Sequence, residues 1–301
     1  MAKYSINDVE KLCGIKAHTL RIWEKRFGIV CPKRTVANRR FYLDDDLRLI
    51  LNISLLNRNG YKISKIAKMQ ELEIRKLAAE LTEVNLDLDD HIEALMFAVT
   101  ELNDYKFSKI IDLRIKNNGF AATINDTIYP LMDKMTILWI DGIVKGIHDV
   151  FVNNIIKQKT LAAIDHLCSR YNPDSYKVMI FLPKGDSYEL SLLFLHYFLQ
   201  VEGMNIMNLG SDMSIESVLE AFDIYQPDYI FTLFNDSDFY GSKLQTYINR
   251  LSFSISDVPL LISGNQIKKQ KLSLPCNVKI LEKMCDLKSQ FKINKSTDCK
   301  D

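Results

Sequence analysis

A chain of 301 residues in which 47% are apolar and 26% charged has the composition of a folded protein of about two domains, which excludes disorder for most of its length. No apolar run reaches the ~18–20 residues that cross a bilayer, the opening Met-Ala-Lys-Tyr-Ser lacks the apolar core of a signal peptide, and six cysteines scattered without a C-x-x-C pair exclude a disulfide scaffold and a zinc ribbon. The net charge of +1 hides an asymmetry: residues 1–70 hold 15 Lys and Arg against 6 Asp and Glu, and the rest holds 24 against 32, so a basic end suited to a polyanion is joined to an acidic body. The chain is expected to be cytoplasmic, with no membrane partner.

Ser5 as N-cap, with Ile6, Val9 and Leu12 on one stripe, predicts a first helix that Gly14 ends. A second is predicted from Ala17 to Phe27, with Leu20, Trp23, Glu24 and Phe27 at i, i+3, i+4 and i+7, and two short helices joined by a Gly turn form a helix-turn-helix. Off its apolar stripe stand His18, Thr19, Arg21, Ile22, Lys25 and Arg26, which supply donors to base edges and phosphates when such a helix enters a major groove. Pro32 to Tyr42 reads as a hairpin-like basic wing carrying Lys33, Arg34, Arg39 and Arg40. A further helix from Leu43 stops at Gly60, and Ile63 opens another whose N-terminal amides could hold a phosphate.

Tyr4-Ser-Ile, Leu12-x-Gly14-Ile15, Thr19-Leu-Arg-Ile-Trp-Glu24, Pro32-x-Arg34, Asn38-Arg-Arg-Phe-Tyr42 and Gly60-Tyr-Lys-Ile63 resemble the DNA-binding domain of the MerR family of bacterial transcription regulators, without a gap from Tyr4 to about Met69. The stretch Arg21-Ile-Trp-Glu-Lys-Arg-Phe-Gly28 is similar to the subgroup with a cobalamin-binding sensor domain. The resemblance implies a winged helix-turn-helix that binds double-stranded promoter DNA as a dimer. It places Thr19, Arg21, Trp23 and Arg26 towards groove and backbone, Arg34, Arg39, Arg40 and Tyr42 on the wing, and Lys62 at the helix that grips phosphate.

From about Ile74 to Tyr171 no strand-like alternation occurs, and four or five helices are expected to form a bundle. In the cobalamin-linked subgroup a bundle Trp and a Gly three residues on cover the cofactor's upper face, followed by a Glu-His pair. Here Trp139 and Gly142 match, the pair is replaced by Asp149 and Val150, and His148 stands one place before the Glu position, a displacement of about 100° around a helix.

After Pro173 five apolar runs begin at Lys177, Asn205, Tyr229, Pro259 and Val278, with helices expected near 187–202, 214–225, 239–252 and 266–272. This alternation predicts a doubly wound parallel sheet with its crevice outside the carboxyl ends of the strands, at loops 184–189, 210–214, 234–240 and 264–266. Lys184-Gly-Asp-Ser-Tyr-Glu-Leu and Val201-Glu-Gly-Met-Asn-Ile-Met-Asn-Leu-Gly-Ser-Asp resemble a cobalamin-binding domain. That family coordinates cobalt from below through the His of Asp-x-His-x-x-Gly. Here Asp186 is kept, Tyr188 replaces the His, Ser191 replaces the Gly, the third-strand Ser is Thr232, and a later Gly-Gly is Gly264-Asn265.

The expected fold is therefore multidomain, α and α/β: a winged helix-turn-helix over 1–73, a helical bundle over 74–172, a flavodoxin-like α/β domain over 173–287 and a polar tail over 288–301. The candidate DNA contacts are Thr19, Arg21, Trp23, Arg26, Arg34, Arg39, Arg40, Tyr42 and Lys62; the candidate cofactor positions are Trp139, Asp186, Tyr188, Thr232 and Gly264. No catalytic or metal site is expected, and no resident cofactor, with cobalamin the candidate should one bind. The leading function is a transcriptional regulator, with repression favoured and a dimer or higher homo-oligomer as its form. A cobalamin-responsive repressor, a corrinoid-binding enzyme subunit and a switch worked by a protein anti-repressor stay open beside it.

Overall fold

The computed structural model describes residues 3–35, 38–84, 88–140, 142–167, 172–235, 240–255, 258–268 and 270–281. Cys168, Cys285, Cys299 and the tail 288–301 lie outside the described residues, as do 236–239 of one expected crevice loop. The chain divides into two compact units, Met1–Ile155 and Ile156–Asp301.

The first unit is almost wholly helical. Helix α1 (Ile6–Cys13) starts at Ser5, whose hydroxyl accepts the Asp8 N–H while Asp8 returns the bond to the Ser5 N–H, and it ends at Gly14 in the left-handed conformation, a reciprocal cap at one end and a φ that glycine adopts freely at the other. Helix α2 (Ala17–Phe27) ends in the same way at Gly28. Strands β1 (Lys33–Arg34) and β2 (Arg40–Phe41) pair antiparallel as the wing, and Tyr4 joins its base by two backbone bonds to Tyr42 of 2.9 and 2.8 Å. Helices α3 (Asp44–Arg58), α4 (Ile63–Ile66) and α5 (Glu71–Val84) follow. The cores of α1 to α3 meet through Val9, Leu12, Leu20, Trp23, Leu47, Ile50 and Ile53, all buried.

Helices α6 (Leu88–Thr100), α7 (Asp104–Asn118), α8 (Phe120–Thr123) and α9 (Tyr129–Ile140) build the helical middle, and α10 (Gly146–Leu167) runs across the division between units. A π-helical turn over Ile124–Ile128 joins α8 to α9. Pro130 follows it and has no N–H to give the preceding turn, so the ladder opens by one residue.

The second unit holds a five-stranded parallel sheet of β3 (Lys177–Phe181), β4 (Asn205–Asn208), β5 (Tyr229–Leu233), β6 (Leu260–Ser263) and β7 (Val278–Ile280), in the order β4-β3-β5-β6-β7. All five runs seen in the sequence are strands. The central ones are continuously apolar because both faces are covered: Val178 to Phe181 and Ile230 to Leu233 are buried. Helix α11 (Glu189–Val201) covers one face through Leu192, Leu195 and Leu199. Helices α12 (Ile215–Tyr225) and α13 (Ser242–Ser254) cover the other through Val218, Leu244, Ile248 and Leu251. Helix α14 (Asn265–Lys268) is a single turn, shorter than the 266–272 expected. Strand order reverses between β3 and β5, which opens a crevice at their carboxyl ends.

Candidate nucleic-acid interface and sheet crevice

In the first unit the turn between α1 and α2 is set by Glu10. Its carboxylate accepts the Ala17 N–H at 2.9 Å and pairs with Lys16 Nζ at 3.3 Å, contacts that hold it below the usual carboxylate range. Helix α2 is thereby oriented with His18, Arg21, Ile22, Lys25 and Arg26 exposed, Thr19 and Glu24 half-buried, and Leu20 and Trp23 inward. The wing is tied to the same helix by Glu24, which accepts Arg40 Nε at 2.7 Å and lies 3.8 Å from Arg34 Nη2. That bond raises the Arg40 pKa. At the wing tip Arg34 donates to Asn38 Oδ1 at 2.9 Å, the Arg39 N–H donates to Thr35 Oγ1 at 3.2 Å, and Asn38 takes a left-handed φ of 57°. Arg39 is exposed; Lys62 is exposed too and precedes the first turn of α4.

Seven of the nine expected contacts, Thr19, Arg21, Arg26, Arg34, Arg39, Arg40 and Lys62, are thus exposed or half-buried. The other two are buried. Trp23 is 5% exposed and Tyr42 1%, because the indole completes the apolar stripe of α2 and Tyr42 is pinned by its ladder to Tyr4; burial pushes the Tyr42 phenol upward. Both support the surface from beneath. Glu24 is the functional group that residue-type reasoning passed over, since an acid attracts no attention in a basic segment, although it stands at i+3 from Arg21 on the same helix.

In the second unit Asp186 is 2% exposed and spans the point of strand reversal. Its Oδ1 accepts the Tyr188 N–H at 3.1 Å, and its Oδ2 accepts the Asn235 N–H at 2.7 Å from the loop after β5. Tyr188 itself is half-exposed just before α11. Beside it Glu189 accepts Lys157 Nζ and, at 2.8 Å, Ser211 Oγ, and these donors lower its pKa. Thr232 is fully buried, and its hydroxyl has no hydrogen-bond partner among the described residues. Gly264 has φ +118°, and a Cβ there would stand 2.3 Å from the Phe234 carbonyl oxygen, so its glycine is required by the close approach of two loop backbones. His196 on α11 meets Asn208 at 3.2 Å through Nδ1, Asn208 Oδ1 accepts the Gly210 N–H at 2.9 Å, and burial depresses the imidazole pKa.

Trp139, in the first unit, lies in the last turn of α9 at 62% exposure. His148 lies in the first turn of α10, where its Nδ1 accepts the Lys145 N–H at 2.9 Å, the reciprocal half of a helix cap; burial and then Lys145 lower its pKa. With Nδ1 so engaged, neutral His148 carries its proton on Nε2. Among the described residues no three His, Cys, Asp or Glu side chains converge as metal ligands, and no helix is long and apolar enough to cross a membrane.

Residues 4–73 match the family described as MerR HTH family regulatory protein. The chain is similar to the HTH-type transcriptional repressor CarH of Myxococcus xanthus, with 23% identity over 233 residues that cover 75% of this chain and 77% of that one. It is also similar to the HTH-type transcriptional regulator ZntR homolog of Haemophilus influenzae, with 32% identity over 112 residues, 37% of this chain and 81% of the other. Among solved structures it is similar to the monomethylamine corrinoid protein of Methanosarcina barkeri, at 12% identity, 68% coverage of this chain and 98% of that one, and a TM-score of 0.49.

Proposed function

This chain belongs to the MerR HTH family of regulatory proteins, and we propose that it is a sequence-specific transcriptional repressor that binds promoter DNA as a dimer or higher homo-oligomer. The observation that carries this reading is the cationic face formed by α2 and the wing, in which Glu24 fixes Arg40 and leaves Arg21, Lys25, Arg26 and Arg39 outward. Charges of one sign gathered on one face repel unless an anion meets them, and the phosphate backbone is that anion. The repressor named among the similar proteins supports the direction of control. The proposed limits are a DNA-binding segment to residue 73, a bundle to 172 and an α/β domain to 287. Catalysis is not part of the proposal. Arg21→Ala and Arg39→Ala are expected to weaken binding to a duplex selected from a random pool, each lowering the steepness of its salt dependence; salt slopes unchanged in both would overturn the interface.

The α/β domain is proposed to have lost the cobalt-ligating His and to act in oligomerisation, towards another ligand, or as the docking face of an anti-repressor. The donor set motivates this. Tyr188 offers a phenol where an imidazole is needed, and phenols, with reference pKa near 10, are poor ligands for cobalt. The Asp that would orient such an imidazole is engaged by the Tyr188 and Asn235 amides. A second reading, a working cobalamin-responsive repressor, is favoured by exposed Trp139 and by the unpartnered hydroxyl of Thr232. Absorption spectra after dark incubation with adenosylcobalamin or methylcobalamin and desalting separate the two. A colourless protein that still binds DNA is expected, and retained corrinoid bands would establish the second reading instead.

A further inference from the structure

Helix α2 turns His18, Arg21, Ile22, Lys25 and Arg26 outward, all exposed, at a spacing of i, i+3, i+4, i+7 and i+8 that gathers them on one face. Four of the five carry nitrogen donors, which suit phosphates and the acceptors of base edges. Ile22 carries none. It is 39% exposed, and among the described residues from 3 to 70 it is the one large apolar side chain that is exposed.

Its place on the helix narrows what it can meet. His18 lies one turn before it and Arg26 one turn after, with Arg21 and Lys25 alongside, so Ile22 stands near the centre of the face that the donors would carry against DNA. The inward stripe of α2 is supplied by Leu20 and Trp23, both buried. A β-branched residue in a helix is held close to one χ1 rotamer. The methyl groups of Ile22 are therefore fixed before any contact, and burying them costs little further entropy.

A major groove presents donors, acceptors and one apolar feature, the C5-methyl group of thymine. A side chain with neither donor nor acceptor gains from the methyl alone, and laid over the amino group of a cytosine it would leave a donor unpaired. We propose that Ile22 is a specificity-determining residue that reads the C5-methyl group of a thymine and so selects an A·T pair at that position of the binding site. This rests on the DNA-binding reading of α2 and deepens it. The cations around Ile22 supply affinity shared by all sequences, and Ile22 supplies discrimination between them.

Deoxyuridine offers the same hydrogen-bonding edge as thymidine without the methyl group, so it isolates the contact. Fluorescence anisotropy of the full chain is measured on a duplex selected from a random pool, with each thymine replaced in turn by deoxyuridine. At least one replacement is expected to weaken wild-type binding by about 4-fold, the transfer free energy of one buried methyl group. Ile22→Ala should no longer distinguish thymine from uracil at that position, with its salt slope unchanged because no charge is removed. Ile22→Val keeps branched methyl groups and should retain most of the discrimination. Alanine is favourable at an exposed helix position, and unchanged affinity for a shuffled duplex shows that the Ala variant is folded. Deoxyuridine tolerated at every position by the wild type, or discrimination undiminished in Ile22→Ala, would overturn the assignment while leaving selective DNA binding in place. No preference of the wild type for the selected duplex over the shuffled one would overturn the DNA-binding reading, and the assignment with it.

Discussion

Replacing Asp186 by Ala removes the acceptor that holds the loop after β3 to the loop after β5. Two backbone N–H groups lose it, Tyr188 at 3.1 Å and Asn235 at 2.7 Å. A hydrogen bond to a charged acceptor contributes about 1.5–3 kcal/mol, and an unpaired buried donor adds a desolvation cost; with both amides only partly buried, about 2–4 kcal/mol is the expected loss. For an α/β unit of this size that corresponds to a fall of roughly 10 °C in its unfolding temperature. Asp186→Asn keeps one carbonyl acceptor and sets its NH₂ against the second amide, so it should recover about half. Thermal unfolding by circular dichroism gives the shift, and amide exchange at Asn235 and Tyr188 localises it. A shift below about 2 °C, or Asn235 exchange unchanged in the Ala variant, would refute the view that this carboxylate organises the crevice.

Trp23→Ala should cost about 3–5 kcal/mol, as truncation of a buried aromatic does, and Trp23→Phe should keep most DNA affinity; a Phe variant of full stability that no longer binds DNA would mean that the indole reaches the duplex. Gly264→Ala forces a Cβ to 2.3 Å from the Phe234 carbonyl oxygen at φ +118°, and at least ~2 kcal/mol of destabilisation is expected, read from urea midpoints that a tolerated alanine would leave in place. His196 has a folded pKa below its unfolded value, so the folded state binds fewer protons. The stability it contributes is complete above the unfolded value of about 6.5 and is lost as pH falls through the depressed folded value. A lower protection factor of the Gly210 amide towards pH 5, taken relative to the intrinsic exchange rate at each pH and absent in His196→Gln, checks this, and a protection factor unchanged with pH would contradict it.

The two ends of the chain differ in what their sequences disclose. Helices α1 and α2 are delimited by local signals, Ser5 and Asp8 at one cap and Gly14 and Gly28 at the others, and local signals survive whatever packs around them. The five strands show because buried parallel strands are short apolar runs bounded by turns. The site chemistry is less evident, because it depends on partners far apart in sequence. Arg40 looks like a free cation until Glu24, sixteen residues earlier, is brought to 2.7 Å. Asp186 reads as an imidazole's orienter until Asn235 takes its Oδ2. The close approach that requires a glycine at 264 shows only when the Phe234 backbone is laid against it. Trp23 and Tyr42 combine an apolar body with a polar tip, and type alone does not decide whether such a ring faces core or ligand.

The most direct test is fluorescence anisotropy of a labelled duplex, selected from a random pool by the full-length protein, against a shuffled duplex of equal length from 50 to 300 mM salt. Affinity for the selected duplex is expected to be at least ~10³-fold above that for the shuffled one at physiological salt, with a steep fall as salt rises. Equal affinity for both duplexes, or selected-site binding that ignores salt, would contradict a sequence-specific regulator built on the cationic face of α2 and its wing.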